Sequence, residues 1–280
     1  MNPPSRDGEA DFLGRMAAAS RRRLRASLAR ISEAELFSRA RAAGRPPALR
    51  LSADGFDVIA ELKRRSPSVG QLAEATLDPI AQARSYAAGG ACALSVLTEP
   101  EEFGGALDDV TAIVAALPVT PIMRKDFLVG RYQVLEARAA GAAGVLLIAA
   151  MLQPDELEAM TALAQELGLF VLIEIFDQAD LARCSGALAR QGRADQLLLG
   201  VNCRDLRTLA VDYGRFAELA RRLPRGLPWV AESGIETPGQ AAELAALGYR
   251  VGLVGTALMR AGDPENSVRA LIAAGRAARR

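Results

Sequence analysis

The chain has 280 residues, half of them hydrophobic and 24% charged, with a formal net charge of +1. That is the profile of an ordinary globular protein, without the basic field that draws nucleic acid. It contains no histidine, which excludes Ser-His-Asp and Cys-His nucleophile systems and leaves acid–base work to Lys, Glu, Asp, Tyr or Cys.

Residues 1–50 stand apart. The stretch from Met1 to Asp7 lacks the apolar core of a signal peptide. Asp11 to Ala43 is rich in Ala, Arg, Leu and Glu, with Leu24, Leu28, Ile31 and Leu36 at helical spacing, until Gly44-Arg45-Pro46-Pro47 breaks the pattern. One or two helices are predicted here, an extension (1–50) leading into a main unit of residues 51–280. The clusters Arg21-Arg22-Arg23 and Arg276 to Arg280 read as a solvated helix face and a frayed terminus, not as RNA-binding patches.

From residue 51 onward, strand and helix signals alternate. Strands are predicted at Val58–Leu62, Ala93–Leu97, Val119–Met123, Gly144–Ile148, Phe170–Ile173, Gln196–Val201, Trp229–Ala231 and Val251–Val254. Helices are predicted at Pro79–Ala88, Leu107–Ala116, Tyr132–Ala140, Pro154–Leu167, Gln178–Ala189, Tyr213–Leu223, Pro238–Leu247 and Ser267–Ala277. Repeats of roughly 25 to 35 residues suit βα units, and eight of them fit a (β/α)8 TIM barrel of about 250 residues with an N-terminal helical extension. An open doubly wound sheet is disfavoured because no GxGxxG turn follows the first strand. No apolar run approaches the roughly 18 residues that span a membrane. Three scattered cysteines, Cys92, Cys184 and Cys203, have no zinc-ligand spacing and suggest a reduced, cytoplasmic protein.

Several strands end in charged or amide residues, where a barrel keeps its chemistry. Glu61 and Lys63 lie two apart on one strand and so share a side, predicted to be the mouth. Lys125 has an apolar strand before it and Phe127 after it; partial desolvation is expected to lower its pKa toward a range useful to a general acid. Glu174 sits between Val171-Leu172-Ile173 and Ile175-Phe176, and a buried carboxylate needs a partner or a function. Asn202 and Arg204 follow the sixth strand and can orient polar substrate atoms. Ser233-Gly234 and Gly255-Thr256 follow strands seven and eight, the loops at which barrels commonly bind phosphate. The first loop, Arg64 to Gly70, is basic and reads as a flap carrying charge over an anionic substrate. The residues alone indicate a sugar-phosphate barrel enzyme using Lys and Glu, with lyase, isomerase and Schiff-base aldolase all open.

The run Ile59 to Ser68, with Ser95-Val96-Leu97-Thr98, Arg124-Lys125-Asp126-Phe127, Glu174, Gly200 to Leu206, Ala231-Glu232-Ser233-Gly234-Ile235 and Leu253 to Arg260, resembles the indole-3-glycerol phosphate synthase family over residues 10 to 273. The resemblance implies closure of an indole ring on 1-(2-carboxyphenylamino)-1-deoxyribulose 5-phosphate, with loss of carbon dioxide and water. It also implies a (β/α)8 barrel with a helical extension. Lys125 would protonate the substrate carbonyl, and Glu174 would serve as acid–base in the dehydration. Lys63 would engage the carboxylate; Glu61 and Asn202 would orient the catalytic groups and hydroxyls. Glu232 and Ser233 would line the mouth, and Gly234, Gly255 and Thr256 would hold the phosphate, helped by Ser66 and Arg204. The implied chemistry needs no metal or other cofactor. Its partner is a small sugar phosphate rather than nucleic acid or membrane, and the chain would be a monomer or weak homo-oligomer. Phe176 stands where the family commonly has histidine, Val69 where a lysine is usual, and Cys203 where asparagine or serine is frequent. A phosphoribosylanthranilate isomerase would want a cysteine at the end of strand one, and a Schiff-base aldolase a lysine in strand six; this chain has neither. Intact Lys63, Lys125 and Glu174 argue against a non-catalytic paralogue.

Overall fold

The structure is a computed structural model that describes residues 11–53, 55–66, 70–71, 78–189, 196–206 and 208–279. Eight strands follow in chain order: β1 (Asp57–Leu62), β2 (Ala93–Leu97), β3 (Ile122–Lys125), β4 (Gly144–Ile148), β5 (Phe170–Ile175), β6 (Leu197–Asn202), β7 (Trp229–Glu232) and β8 (Val251–Val254). Each pairs in parallel with its sequence neighbours, and β8 returns to β1 to close the barrel. This is a (β/α)8 barrel.

Period-two alternation sorts each strand between two cores. On β1, Val58, Ala60 and Leu62 pack outward against the helices, while Ile59 faces the interior with Ala93, Met123, Leu146, Leu172, Leu198 and Val230. The same alternation turns Glu61 inward, one step nearer the mouth. The interior is therefore packed with apolar side chains below and charged above.

Strand ends differ from expectation where local chemistry overrides hydropathy. β3 starts at Ile122, not Val119, because Pro118 and Pro121 bracket Val119 in a turn that leaves it 84% exposed. Lys125 consequently ends the strand rather than following it. β5, β6 and β7 each run further than expected, which brings Glu174, Asn202 and Glu232 into the sheet. The helix expected at 178–189 breaks at Cys184, and that expected at 213–223 shortens to Arg215–Ala220. The last helix starts early, at Pro264, with Asp263 capping Asn266 N. A four-residue helix, Thr256–Met259, follows β8.

Two extension helices, Phe12–Leu28 and Glu33–Ala42, are capped by Asp11 and Ser32. They grip the helix Arg131–Ala139: Tyr132 Oη donates to Ser27 O and Ile31 O, and Gln133 Nε2 donates to Ser20 Oγ. Phe12 reaches the mouth, where its ring meets Phe127 edge-on at 6.1 Å.

Candidate active site

The mouth encloses a cavity of about 220 Å³ whose walls include all twelve residues singled out above, from Glu61, Lys63 and Ser66 to Gly255 and Thr256. Glu61 is at its base. Lys63 Nζ lies 2.7 Å from Glu61 Oε1, and Lys125 Nζ lies 3.3 Å from Oε2, so one carboxylate positions both ammoniums. Burial would raise the Glu61 carboxyl, but the two lysines overcome it and hold its pKa at about 2.

The expected lowering of the Lys125 pKa is corrected by its surroundings. Burial does push the ammonium down, yet Glu61, Glu174 and Glu232 together outweigh it, and the pKa rises above the ordinary lysine value. Lys125 is therefore a fully protonated cation caged by three acids.

Glu174 and Glu232 form a second constellation. Glu174 lies opposite Gly200 in the β5–β6 register, and Gly200 lacks the Cβ that would collide with the Glu232 carboxylate. Burial raises both carboxyls. Lys125 offsets part of this for Glu174, whereas repulsion from Glu174 pushes Glu232 well up. No described residue gives either carboxylate a hydrogen bond of good geometry. Asn202 stands beside Glu174; its Oδ1 accepts from Arg204 N at 3.0 Å, leaving its amide N–H groups for the carboxylate.

After β7, Ser233 and Gly234 both take φ of 67°, a left-handed turn that is strained at the serine. A Cβ on Gly234 would press on Cys203 Sγ at 3.0 Å. Gly255 leaves space for the Glu61 carboxylate and leads into the helix Thr256–Met259. Arg204 is braced by a hydrogen bond from Nη1 to Leu209 O at 3.1 Å.

Other expectations shift. Arg64 pairs with Asp109 in the helix Leu107–Ala116 and Arg65 with Glu101 O in the loop after β2, rather than over the cavity. Pro67, Ser68 and Val69 lie outside the described residues. Phe176 is buried in the barrel interior and does not wall the cavity. The sequence reading also missed an apolar wall of Phe12, Phe103, Phe127, Leu206, Leu209 and Val211, because these come from the extension and three separate loops. The Arg-Arg-Arg run is not a plain solvated face, since Arg23 pairs with Glu99 and Asp126. Among the described residues no cluster suits a metal ion, and no helix is long and apolar enough to cross a membrane.

The indole-3-glycerol phosphate synthase family pattern matches residues 13–271. An indole-3-glycerol phosphate synthase from Nocardioides sp. is 47% identical over 259 residues, covering 92% of each chain. One from Micrococcus luteus is 48% identical over 220 residues, 79% of each. Among solved structures, 3-hexulose-6-phosphate synthase from Salmonella typhimurium superposes with a TM-score of 0.56 at 15% identity, covering 77% of this chain and 96% of that one. Thiamine phosphate pyrophosphorylase from Pyrococcus furiosus gives 0.56 at 17% identity, covering 80% and 97%. At such identities the structural likeness speaks to the barrel fold alone.

Proposed function

Since this chain belongs to the indole-3-glycerol phosphate synthase family, we propose that the acid–base cluster at its mouth, led by Lys125, closes the indole ring. The chain is a carboxy-lyase of tryptophan biosynthesis, converting 1-(2-carboxyphenylamino)-1-deoxyribulose 5-phosphate to indole-3-glycerol phosphate with release of carbon dioxide and water. The observation that carries the assignment of roles is the 3.3 Å contact of Lys125 with Glu61 inside a ring of three buried carboxylates.

Lys63 takes the substrate carboxylate, exchanging part of its pairing with Glu61 for that charge. Lys125 donates to the carbonyl oxygen as the ring carbon attacks, and its proton passes to the oxygen as negative charge develops there. Loss of carbon dioxide restores the aromatic ring. Glu174 and Glu232, buried side by side, hold a proton between them; Glu174 gives it to the hydroxyl, which leaves as water, and then takes the proton shed by the neighbouring ring carbon as the indole double bond forms. Asn202 orients Glu174, and Ser233 aligns the sugar hydroxyls. Gly234, Gly255 and Thr256 cradle the phosphate with their backbone N–H groups, helped by Ser66 and Arg204. The aromatic ring rests on the wall of Phe12, Phe103 and Phe127.

Residues 1–50 and 51–280 act as one domain, a reading supported by Phe12 in the cavity wall and by hydrogen bonds from the helix Arg131–Ala139. A cytoplasmic setting is supported by three free thiols. The monomer or weak homo-oligomer reading rests on scattered exposed apolar side chains, Leu28, Val119, Val211 and Leu247. The partner is the sugar phosphate, with no nucleic acid.

The test is to mix purified protein with the substrate and follow indole fluorescence, with Lys125→Ala as control. Signal from the parent and none from a folded Lys125→Ala protein is expected. Turnover in that variant refutes Lys125 as the acid.

A further inference from the structure

Arg23 lies on the extension helix Phe12–Leu28, outside the cavity wall. Its guanidinium spans two carboxylates of the barrel loops: Nη2 donates to Asp126 Oδ1 at 2.8 Å and Nη1 to Glu99 Oε1 at 3.2 Å. The arginine side chain is 25% exposed, whereas those of Glu99 and Asp126 are 0% and 1% exposed. A cation from outside the barrel thus neutralises acids inside it.

What these two acids hold lies on either side of Lys125. Glu99 accepts the backbone N–H groups of Glu101, Glu102 and Phe103 at 2.9, 2.6 and 3.1 Å, which shapes the loop after β2. Asp126 accepts from Phe127 N and Thr98 Oγ1, both at 2.8 Å, and from Arg124 Nη2 at 3.1 Å. Thr98 N donates to the Lys125 carbonyl at 3.0 Å. Arg124 is fixed in turn by Gln133 O and Glu136 at 3.0 and 3.1 Å. Arg23 and Arg124 together face Glu99, Asp126 and Glu136. Without Arg23 one cation remains for three acids, of which Glu99 and Asp126 are buried, and a buried charge that loses its partner forces rearrangement around it.

We infer that Arg23 is a positioning residue for ring closure, through which the extension fixes the peptide and flanks of Lys125 so that its ammonium meets the substrate carbonyl. This rests on the reading of Lys125 as the acid. The group need not drift far for the effect to be large, since a misplacement of about 1 Å can cost on the order of a hundredfold in rate. A plain staple would affect stability alone, so the two roles separate in kinetics.

The experiment measures the single-turnover rate of ring closure, with enzyme in excess so that product release does not mask it, together with substrate affinity and melting temperature. Arg23→Ala is expected to slow closure by roughly tenfold to a hundredfold while affinity shifts less than about threefold. Arg23→Lys, which keeps the charge but not the two-armed guanidinium, recovers part of the rate. In an Asp126→Asn background the effect of Arg23→Ala shrinks, because part of what it held is gone. If Arg23→Ala does not fold, Arg23→Gln is measured in its place with the same expectation. A closure rate within about twofold of the parent, or weakened affinity alone, overturns the inference. Lys125→Ala, run alongside, keeps the failures apart. If it retains turnover, the reading of Lys125 falls. If it is dead while the Arg23 variants close the ring at the parent rate, only the positioning role falls.

Discussion

Glu174 and Glu232 share one obligation at the scale of single residues. Both are buried, both sit near Lys125, and neither is met by a well-placed donor. Each extra unit of pKa shift is worth about 1.4 kcal/mol, so ionising the second of the pair is expensive. Their carboxyls are raised on folding. Stability from such groups is therefore fully present below the unfolded carboxyl value and is lost as pH rises through the folded one. Glu61 works the other way, being held near 2 by its lysines; its contribution disappears only as strong acid is approached. Glu232→Gln keeps the side-chain shape and removes the more strongly raised group. Its melting temperature is expected to gain on the parent progressively as pH increases from about 5 to about 9. Melting curves at matched ionic strength measure this, and a difference that does not vary with pH means that Glu232 is not the titrating group. On the proposed acid–base role of the pair, the variant should also slow turnover.

Two interior glycines show how the strands make room for different things. On β4, a Cβ at Gly144 would run into the Phe170 ring; on β6, a Cβ at Gly200 would run into the Glu232 carboxylate and meet Leu172 Cδ1 at 3.0 Å. Overpacking of this kind typically costs about 1 to 3 kcal/mol, so Gly144→Ala and Gly200→Ala should lower stability to a similar degree. Only Gly200→Ala displaces an acid of the mouth. Turnover per folded molecule should thus fall roughly tenfold or more in Gly200→Ala and stay near the parent value in Gly144→Ala. Equal turnover in the two refutes the idea that Gly200 exists to seat Glu232. The same strands explain what could be read from the chain. Alternation along Val58 to Lys63 announced both the barrel face and the shared side of Glu61 and Lys63, because strand periodicity is local. Pro118 and Pro121 hid the true start of β3, since Val119 is as apolar as a strand residue yet stands in a turn. Lys125 lines the cavity, as its place at a strand end suggests, but its pKa moves opposite to what its apolar flanks imply. Burial is visible in neighbouring residues, whereas the three acids that reverse its effect come from β1, β5 and β7. Arg23 was unreadable for the same reason: its partners lie on two loops of the barrel, and a run of three arginines looks solvated until those loops are in place.

For the molecule as a whole, the question is what makes the extension part of the barrel. One fastening is at the mouth, through Phe12 and Arg23. The other is on the flank, where Arg138 Nη2 donates to Ala43 O and Gly44 O at 2.8 and 2.6 Å and Nε to Leu167 O at 3.2 Å. Arg138 is buried, burial lowers its pKa, and among the described residues no carboxylate pairs with it. A charge kept inside on carbonyls alone is costly unless those contacts are all made. Charge-assisted hydrogen bonds contribute about 1.5 to 3 kcal/mol each, partly offset by desolvation, so Arg138→Ala should cost roughly 2 to 4 kcal/mol in denaturant titrations. The loss should be local first. The carbonyls released lie just past the helix Glu33–Ala42, which is otherwise held to its neighbours by Leu36 and Ala40. Hydrogen exchange in Glu33–Ala42 should therefore accelerate more than in β5, a buried strand paired on both sides and expected to exchange by global opening. Equal acceleration in both would show that the extension and barrel open as one unit and that Arg138 is no hinge between them. Because Phe12 and Arg23 reach the mouth through the other extension helix, turnover should fall only in proportion to the fraction detached. A Arg138→Ala protein that loses turnover while its extension stays protected would break the link between docking and catalysis.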